Sequence, residues 1–126
     1  MAVKVDVNID KAAVGSIEAA VLAAMDLTLE DILTDIKSAA VVPFDQGTLQ
    51  GSGFATDAEI LPDGAQGEVV FDTPYARRLY FSEGYNFQTV HNTNAQDHWM
   101  KEYTDGGANE EWIKETFEKH LEEQLK

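Results

Sequence analysis

The chain has 126 residues, 44% of them hydrophobic and 10% aromatic, enough to fill one core in a single domain spanning 1–126 and too much for a disordered polyelectrolyte. Its 23 acidic residues against 9 lysines and arginines leave a formal net charge of −14, which excludes specific binding to nucleic acid backbones and anionic membranes, because the cations that release counterions from phosphate are missing. The absence of cysteine rules out a disulfide framework and a thiolate zinc site. The N-terminus lacks the basic and apolar pattern of a leader, and no apolar run approaches the roughly 18 residues of a membrane span, so the expected product is soluble and made in the cytoplasm.

Val3, Val5, Val7 and Ile9 alternate with Lys4, Asp6 and Asn8, which predicts a half-buried strand with Asp10 as its boundary or as a cap for the next element. From about Ala13 to Ala40 the period changes. Ile17, Val21, Ala24, Thr28, Ile32 and Ile36 recur at three or four residues, and Met25, Leu29 and Leu33 widen the stripe. This predicts one long amphipathic helix, or two segments bent near Asp26-Leu27-Thr28, with an ordered start at Ser16 after Gly15. Glu18, Asp26, Glu30, Asp31, Asp35 and Lys37 fall on the opposite side, and most of them read as solvated or partner-facing charge.

The helix stops at Val42-Pro43-Phe44-Asp45-Gln46-Gly47-Thr48-Leu49, closely followed by Gly51, Ser52 and Gly53. Proline pushes Val42 toward extended backbone, Gly47 is free to turn, and Asp45 and Thr48 can bond local amides. Val42, Pro43, Asp45, Gly47, Leu49 and Ser52 therefore form a structural turn between helix and sheet. Phe54, Thr56, Ala58 and Ile60 then alternate with Ala55, Asp57 and Glu59 as a strand facing the helix. Leu61 to Gly67 reads as a connecting turn and Glu68 to Phe71 as the returning strand of a hairpin. After Thr73-Pro74, the stretch Tyr75 to Phe81 fits a short helix or an irregular strand, and proline at a first helical position favours the helix. Ser82 to His91 reads as strand and loop turning at Gly84. Asn92 to Ala95 is expected to cap a helix carrying Ala95, His98, Trp99 and Tyr103 on one face, ended by Asp105-Gly106-Gly107. From Asn109 a final helix presents Trp112, Ile113, Thr116, Phe117, His120, Leu121 and Leu125 inward. The whole is an α+β fold: a long N-terminal helix packed on a small antiparallel β-sheet, with a C-terminal helix.

No set of residues makes a convincing catalytic or cofactor site. His91 and His98 with Asp97 lack a zinc ligand spacing. Asp45 and Asp72 are separate turn residues, and together with His91 they are the only acid-base candidates an enzyme of unknown type would have. Ser52 between Gly51 and Gly53 lacks the flanks and partners of a nucleophile elbow, and Gly47, Gly51 and Gly53 without a following lysine make no phosphate loop. The expectation is no enzyme, no cofactor and no metal. Arg77-Arg78 is the one basic pair. It either pairs internally with a carboxylate or meets the acidic face of a neighbouring copy.

The order of these segments resembles a group of tailed-bacteriophage neck and tail-completion proteins, including minor capsid proteins that join head to tail. The resemblance rests on Val42, Pro43, Asp45, Gly47, Leu49 and Ser52 in a Val-Pro-x-Asp-x-Gly-x-Leu-x-x-Ser pattern. It continues with Thr73, Tyr75 and Ala76, with Gly84 after the aromatic segment, and with Asn94-Ala95 followed by Trp99. Gln46 departs from the threonine usual before the glycine. The resemblance implies a structural virion protein, built as a ring of copies at the head-tail junction and contacting portal, connector or tail proteins. DNA would at most pass through, and no membrane is involved. Thr73, Tyr75, Arg77, Arg78 and Gly84 are then the candidate subunit interface. The alternative reading is an acidic soluble adaptor, or an inhibitor that mimics DNA and binds a basic partner.

Overall fold

The computed structural model describes residues 1–8, 11–43, 47–62, 64–82, 87, 89, 92–104 and 106–125, with the backbone alone at 8 and 11–16. Strand β1 (Ala2–Asn8) leads into helix α1 (Lys11–Ser38), a one-turn helix α2 (Thr48–Gly51), and strands β2 (Gly53–Ala55), β3 (Glu59–Leu61) and β4 (Gly64–Phe71). Helix α3 (Ala76–Tyr80), a 3-10 turn (Lys101–Tyr103) and helix α4 (Glu110–Gln124) complete the order. The expected α+β architecture is present: β4 is the centre of a four-stranded antiparallel sheet, with β1 on one side and β2 and β3 on the other. Among the described residues no helix is long and apolar enough to cross a membrane.

Period and burial agree along β1 and α1. Val3, Val5 and Val7 are buried, and so are Val21, Ala24, Met25, Thr28, Leu29, Ile32, Leu33 and Ile36 on the inner stripe of the helix. Thr28 joins an apolar face because its hydroxyl donates to the Ala24 carbonyl at 2.8 Å, so no polar group is left unpaired there. The break in α1 falls at Ile17 (φ −129°, ψ 28°) and not near Asp26. Ile9 and Asp10 lie outside the described residues.

The hairpin differs from its sequence reading in two ways. The stretch Gly64 to Gly67, expected as turn, is strand: Ala65, Gly67, Val69 and Phe71 are buried and alternate with half-buried Gln66, Glu68 and Val70. Its two glycines and alanine carry no β-branched signal, and packing decides the conformation. The partner strand is also not continuous. Ala55 faces Val69 and Glu59 faces Gln66, so the chain there holds one residue more than the β4 stretch opposite, which is a bulge. A one-residue insertion reverses which side chains point inward. Ala55 therefore packs against the core while Phe54 is 44% exposed, and beyond the bulge Ala58 and Ile60 pack inward as expected. The bulge is held by Thr56, whose hydroxyl accepts from the Glu68 N–H at 2.9 Å, and by Asp26, whose carboxylate accepts from the Ala58 N–H at 2.8 Å.

Asp26, though exposed, is one of three helix acids, read from sequence as solvated or partner-facing charge, that join elements within the chain. Asp31 lies 2.6 Å from Nε2 of His120 on α4, and Asp35 accepts the Tyr103 hydroxyl. Glu18 and Glu30 are exposed, as expected. Helix α4 buries Ile113 and Phe117 and half-buries Trp112 and Leu121, whereas Leu125 is 53% exposed.

Burial raises the Tyr103 pKa above its usual 10, and the hydrogen bond to Asp35 adds to the effect. Below pH 10 both states hold the proton. Above it the unfolded chain releases a proton that the fold retains, so stability falls as pH rises. Tyr103→Phe is expected to flatten this alkaline loss, read as the drop in Tm between neutral pH and values above 10. Tyr80, raised chiefly by burial, keeps some slope in the variant; an unchanged slope would mean that Tyr103 is not its source.

Candidate functional site: the helix-to-sheet turn and the α3 face

Helix α1 ends at Ser38, and Ala40 takes a left-handed φ of 56° before Val42, which is fully buried. A helix end leaves carbonyls without partners. Here the Asp35 and Lys37 carbonyls accept from the Ala39 and Ala40 N–H groups, and the segment around Asn92 to Gln96 supplies donors to the carbonyls just beyond the helix end. The Asn94 side-chain amide donates to Ala39, its backbone N–H to Ala40, the Gln96 N–H to Val41, and the Asn92 amide to Val42, all at 2.7 to 3.0 Å. The Asn92 amide also donates to Gln50 Oε1 at 2.7 Å. This clamp corrects the expected helix after Asn92. The Asn94 and Gln96 amides go to the end of α1, the His98 N–H goes to Tyr80 at 2.8 Å, and His98 has a φ of 46°, which no α-helix continues through. Among the described residues of this stretch only the 3-10 turn at Lys101–Tyr103 is regular.

Gly47 opens α2 with φ 80° and ψ 0°, a left-handed conformation that side chains other than glycine adopt at a cost. Leu49 on α2 is buried, and the Ser52 hydroxyl closes the turn by donating to the Leu49 carbonyl at 2.7 Å and accepting from the Asp72 N–H at 3.0 Å. Ser52 thus ties the turn to the end of β4. Asp45, with Phe44 and Gln46, lies outside the described residues, and so do His91 and Gly84. Gly47→Val is expected to lose about 2 kcal/mol, since a β-branched residue is a strong outlier at positive φ. Urea titration of purified protein measures this, and a change within about 0.5 kcal/mol would show the turn to be less constrained.

Helix α3 follows Pro74 as expected, with Ala76 and Tyr80 inward. Tyr80 sits at the centre of a ring cluster, 4.9 Å from Trp99, 5.1 Å from Phe81 and 5.0 Å from His98 between centroids. Outside this support Phe81 is 49% and Tyr75 38% exposed, and the Arg77 guanidinium lies 5.5 Å above the Phe81 ring. Arg77 and Arg78 are exposed, and among the described residues neither forms an ion pair. Internal pairing with a carboxylate is therefore not found for them there. Thr73 accepts the Ala76 N–H through its carbonyl, while its buried hydroxyl has no partner among the described residues. His98 and Asp97, joined at 2.8 Å, border the same patch. In the sequence His98 and Asp97 read as ligand candidates without a zinc spacing and Phe81 as the end of a short helix or irregular strand, and the tertiary arrangement brings them to one surface.

No family model, curated protein or solved structure matches the chain. Among the described residues no group of three His, Asp or Glu side chains is arranged to hold a metal ion. Chemically, the α3 face offers two guanidinium groups that form no ion pair among the described residues, beside exposed aromatic rings, a combination suited to binding a carboxylate-bearing protein surface.

Proposed function

We propose that the chain is a structural virion protein of a tailed bacteriophage or prophage, a minor capsid or neck component that joins head to tail as a ring of copies. The observation that carries this reading is the order of its motifs: the Val42 to Ser52 turn, then Thr73, Tyr75 and Ala76, then Asn94-Ala95 and Trp99. Two features of the fold support it. The described members of the first motif lie between the long helix and the sheet, and the second motif opens the α3 face, whose arginines form no ion pair among the described residues. A ring contact is heterologous, so one patch must meet a different one on the next copy. Tyr75, Arg77, Arg78 and Phe81 form one such patch, and the exposed acids of α1 and α4 form the other. The same acids, in a chain of net charge −14, would let DNA pass without adhering.

The test is whether purified particles carry the protein and whether its deletion leaves unjoined heads and tails. Normal infectious particles without it would sink the proposal. The double variant Arg77→Glu, Arg78→Glu is expected to keep its stability within about 0.5 kcal/mol and to lose joining.

A further inference from the structure

Strand β1 borders the sheet, and among the described residues its outer edge is open. The Phe71 N–H donates to the Met1 carbonyl at 2.9 Å, and the Met1 amino group donates to the Phe71 carbonyl, so Met1 and Phe71 exchange both bonds. Such pairs alternate along an antiparallel ladder. In the register that sets Val3 against Val69, Val5 against Gly67 and Val7 against Ala65, the valines therefore bond β4. The N–H and C=O groups of Ala2, Lys4, Asp6 and Asn8 point away from it. Among the described residues β1 pairs with β4 alone. Helix α4 does not close the edge: a cleft of about 430 Å³ runs beside Lys4 to Val7, walled by Tyr103, Glu110 and Lys114.

We propose that this edge pairs with the β1 edge of a second copy, antiparallel and about a two-fold axis at Val5. Charge complementarity selects this occupant. Only the outward-pointing residues can exchange bonds across the new ladder, and the register centred on Val5 sets Lys4 opposite Asp6 of the second copy and Asp6 opposite its Lys4. Both side chains are exposed on the solvent face of the sheet, where opposite charges directly across strands attract and like charges repel. A lysine on an edge strand ordinarily blocks strand addition; here the same strand carries the residue that neutralises it. The valines are already buried against the core, so pairing adds little apolar burial. Association is therefore weak and is read at high concentration. It uses none of the α3 residues and stands whether or not the chain joins heads to tails. The ring contact forms on the docking partner, whereas this dimer is a state of the free chain.

The experiment is sedimentation of the full chain up to about 1 mM at physiological ionic strength, where the Debye length is about 8 Å and long-range repulsion between copies is screened. A monomer-dimer equilibrium is expected, with hydrogen exchange at the Lys4 and Asp6 amides slowing as concentration rises while Val3, Val5 and Val7 stay protected throughout. Lys4→Asp and Asp6→Lys each place like charges opposite each other twice per dimer and should weaken pairing roughly tenfold or more. Combining both changes in one chain should restore it, and so should mixing the two single variants. If net charge governed association, Asp6→Lys would strengthen it. A monomer at all concentrations, stronger pairing in Asp6→Lys, or no recovery in the double variant with an unchanged melting curve would overturn the proposal.

Discussion

Trp99→Ala is expected to cost about 4 kcal/mol, the range found when a large aromatic is removed from a packed core. Trp99 is 1% exposed and meets Tyr80 and Phe71 edge-on, with centroids at 4.9 and 5.8 Å. Truncation leaves a cavity between β4 and α3 that the two remaining rings cannot fill without moving. A domain of this size is stable by roughly 5–15 kcal/mol, so the loss is a large fraction of the total. Trp99→Phe is the informative control. The indole N–H is buried with no partner among the described residues, and phenylalanine removes that donor while keeping most of the ring, so its expected cost is about 1 kcal/mol. Chemical denaturation of both variants measures the contrast, and a cost for alanine below about 2 kcal/mol would show that the site collapses easily. Tyr80 carries Phe81 and His98 on its other side, so Trp99→Ala should also disorder the α3 face.

Gly67→Ala should be more harmful than a methyl added at Gly53, whose nearest contact would be 2.8 Å. A Cβ at this position would lie 2.3 Å from Cδ1 and 3.3 Å from Cγ of Leu29. Leu29 is fully buried, so its side chain cannot swing into solvent, and relief requires α1 to lift from β4. Overpacking of this kind costs about 2–3 kcal/mol. Leu29→Ala alone should cost about 3 kcal/mol by leaving a cavity. In the double variant the new methyl enters that cavity, so the combined loss should fall short of the sum by more than about 1 kcal/mol. Additive losses in urea titrations would place the strain elsewhere.

Gly47 and Gly67 differ in how well sequence reveals their roles. Gly47 follows a proline at the end of a helical period, and a turn there is readable from local backbone rules. Gly67 sits in a stretch that reads locally as turn, because what it must accommodate is a leucine thirty-eight residues earlier in the chain. Trp99 shows the same limit. Its spacing with His98 and Tyr103 implies a helical face, yet the Asn94 and Gln96 amides bond the carbonyls beyond the end of α1. The candidate interface is legible as Tyr75, Arg77 and Arg78, but the exposure of Phe81 and its contact with His98 are not.

Sequence by itself determined the first strand, the inner stripe of α1, the freedom to turn at Gly47, the short helix after Pro74 and the final helix, and hence the α+β class. Each of these follows from the period of apolar residues or from the backbone limits of proline and glycine, which act within a few residues. Tertiary structure alone decided the bulge that turns Phe54 outward, the full length of β4, the clamp of Asn92 to Gln96 on the end of α1, and the partners of Asp26, Asp31 and Asp35. The physical reason is common to all four. Each depends on a hydrogen bond or close contact between distant segments, and a carboxylate, an amide or a missing Cβ has the same local signature whether its partner is water or another strand.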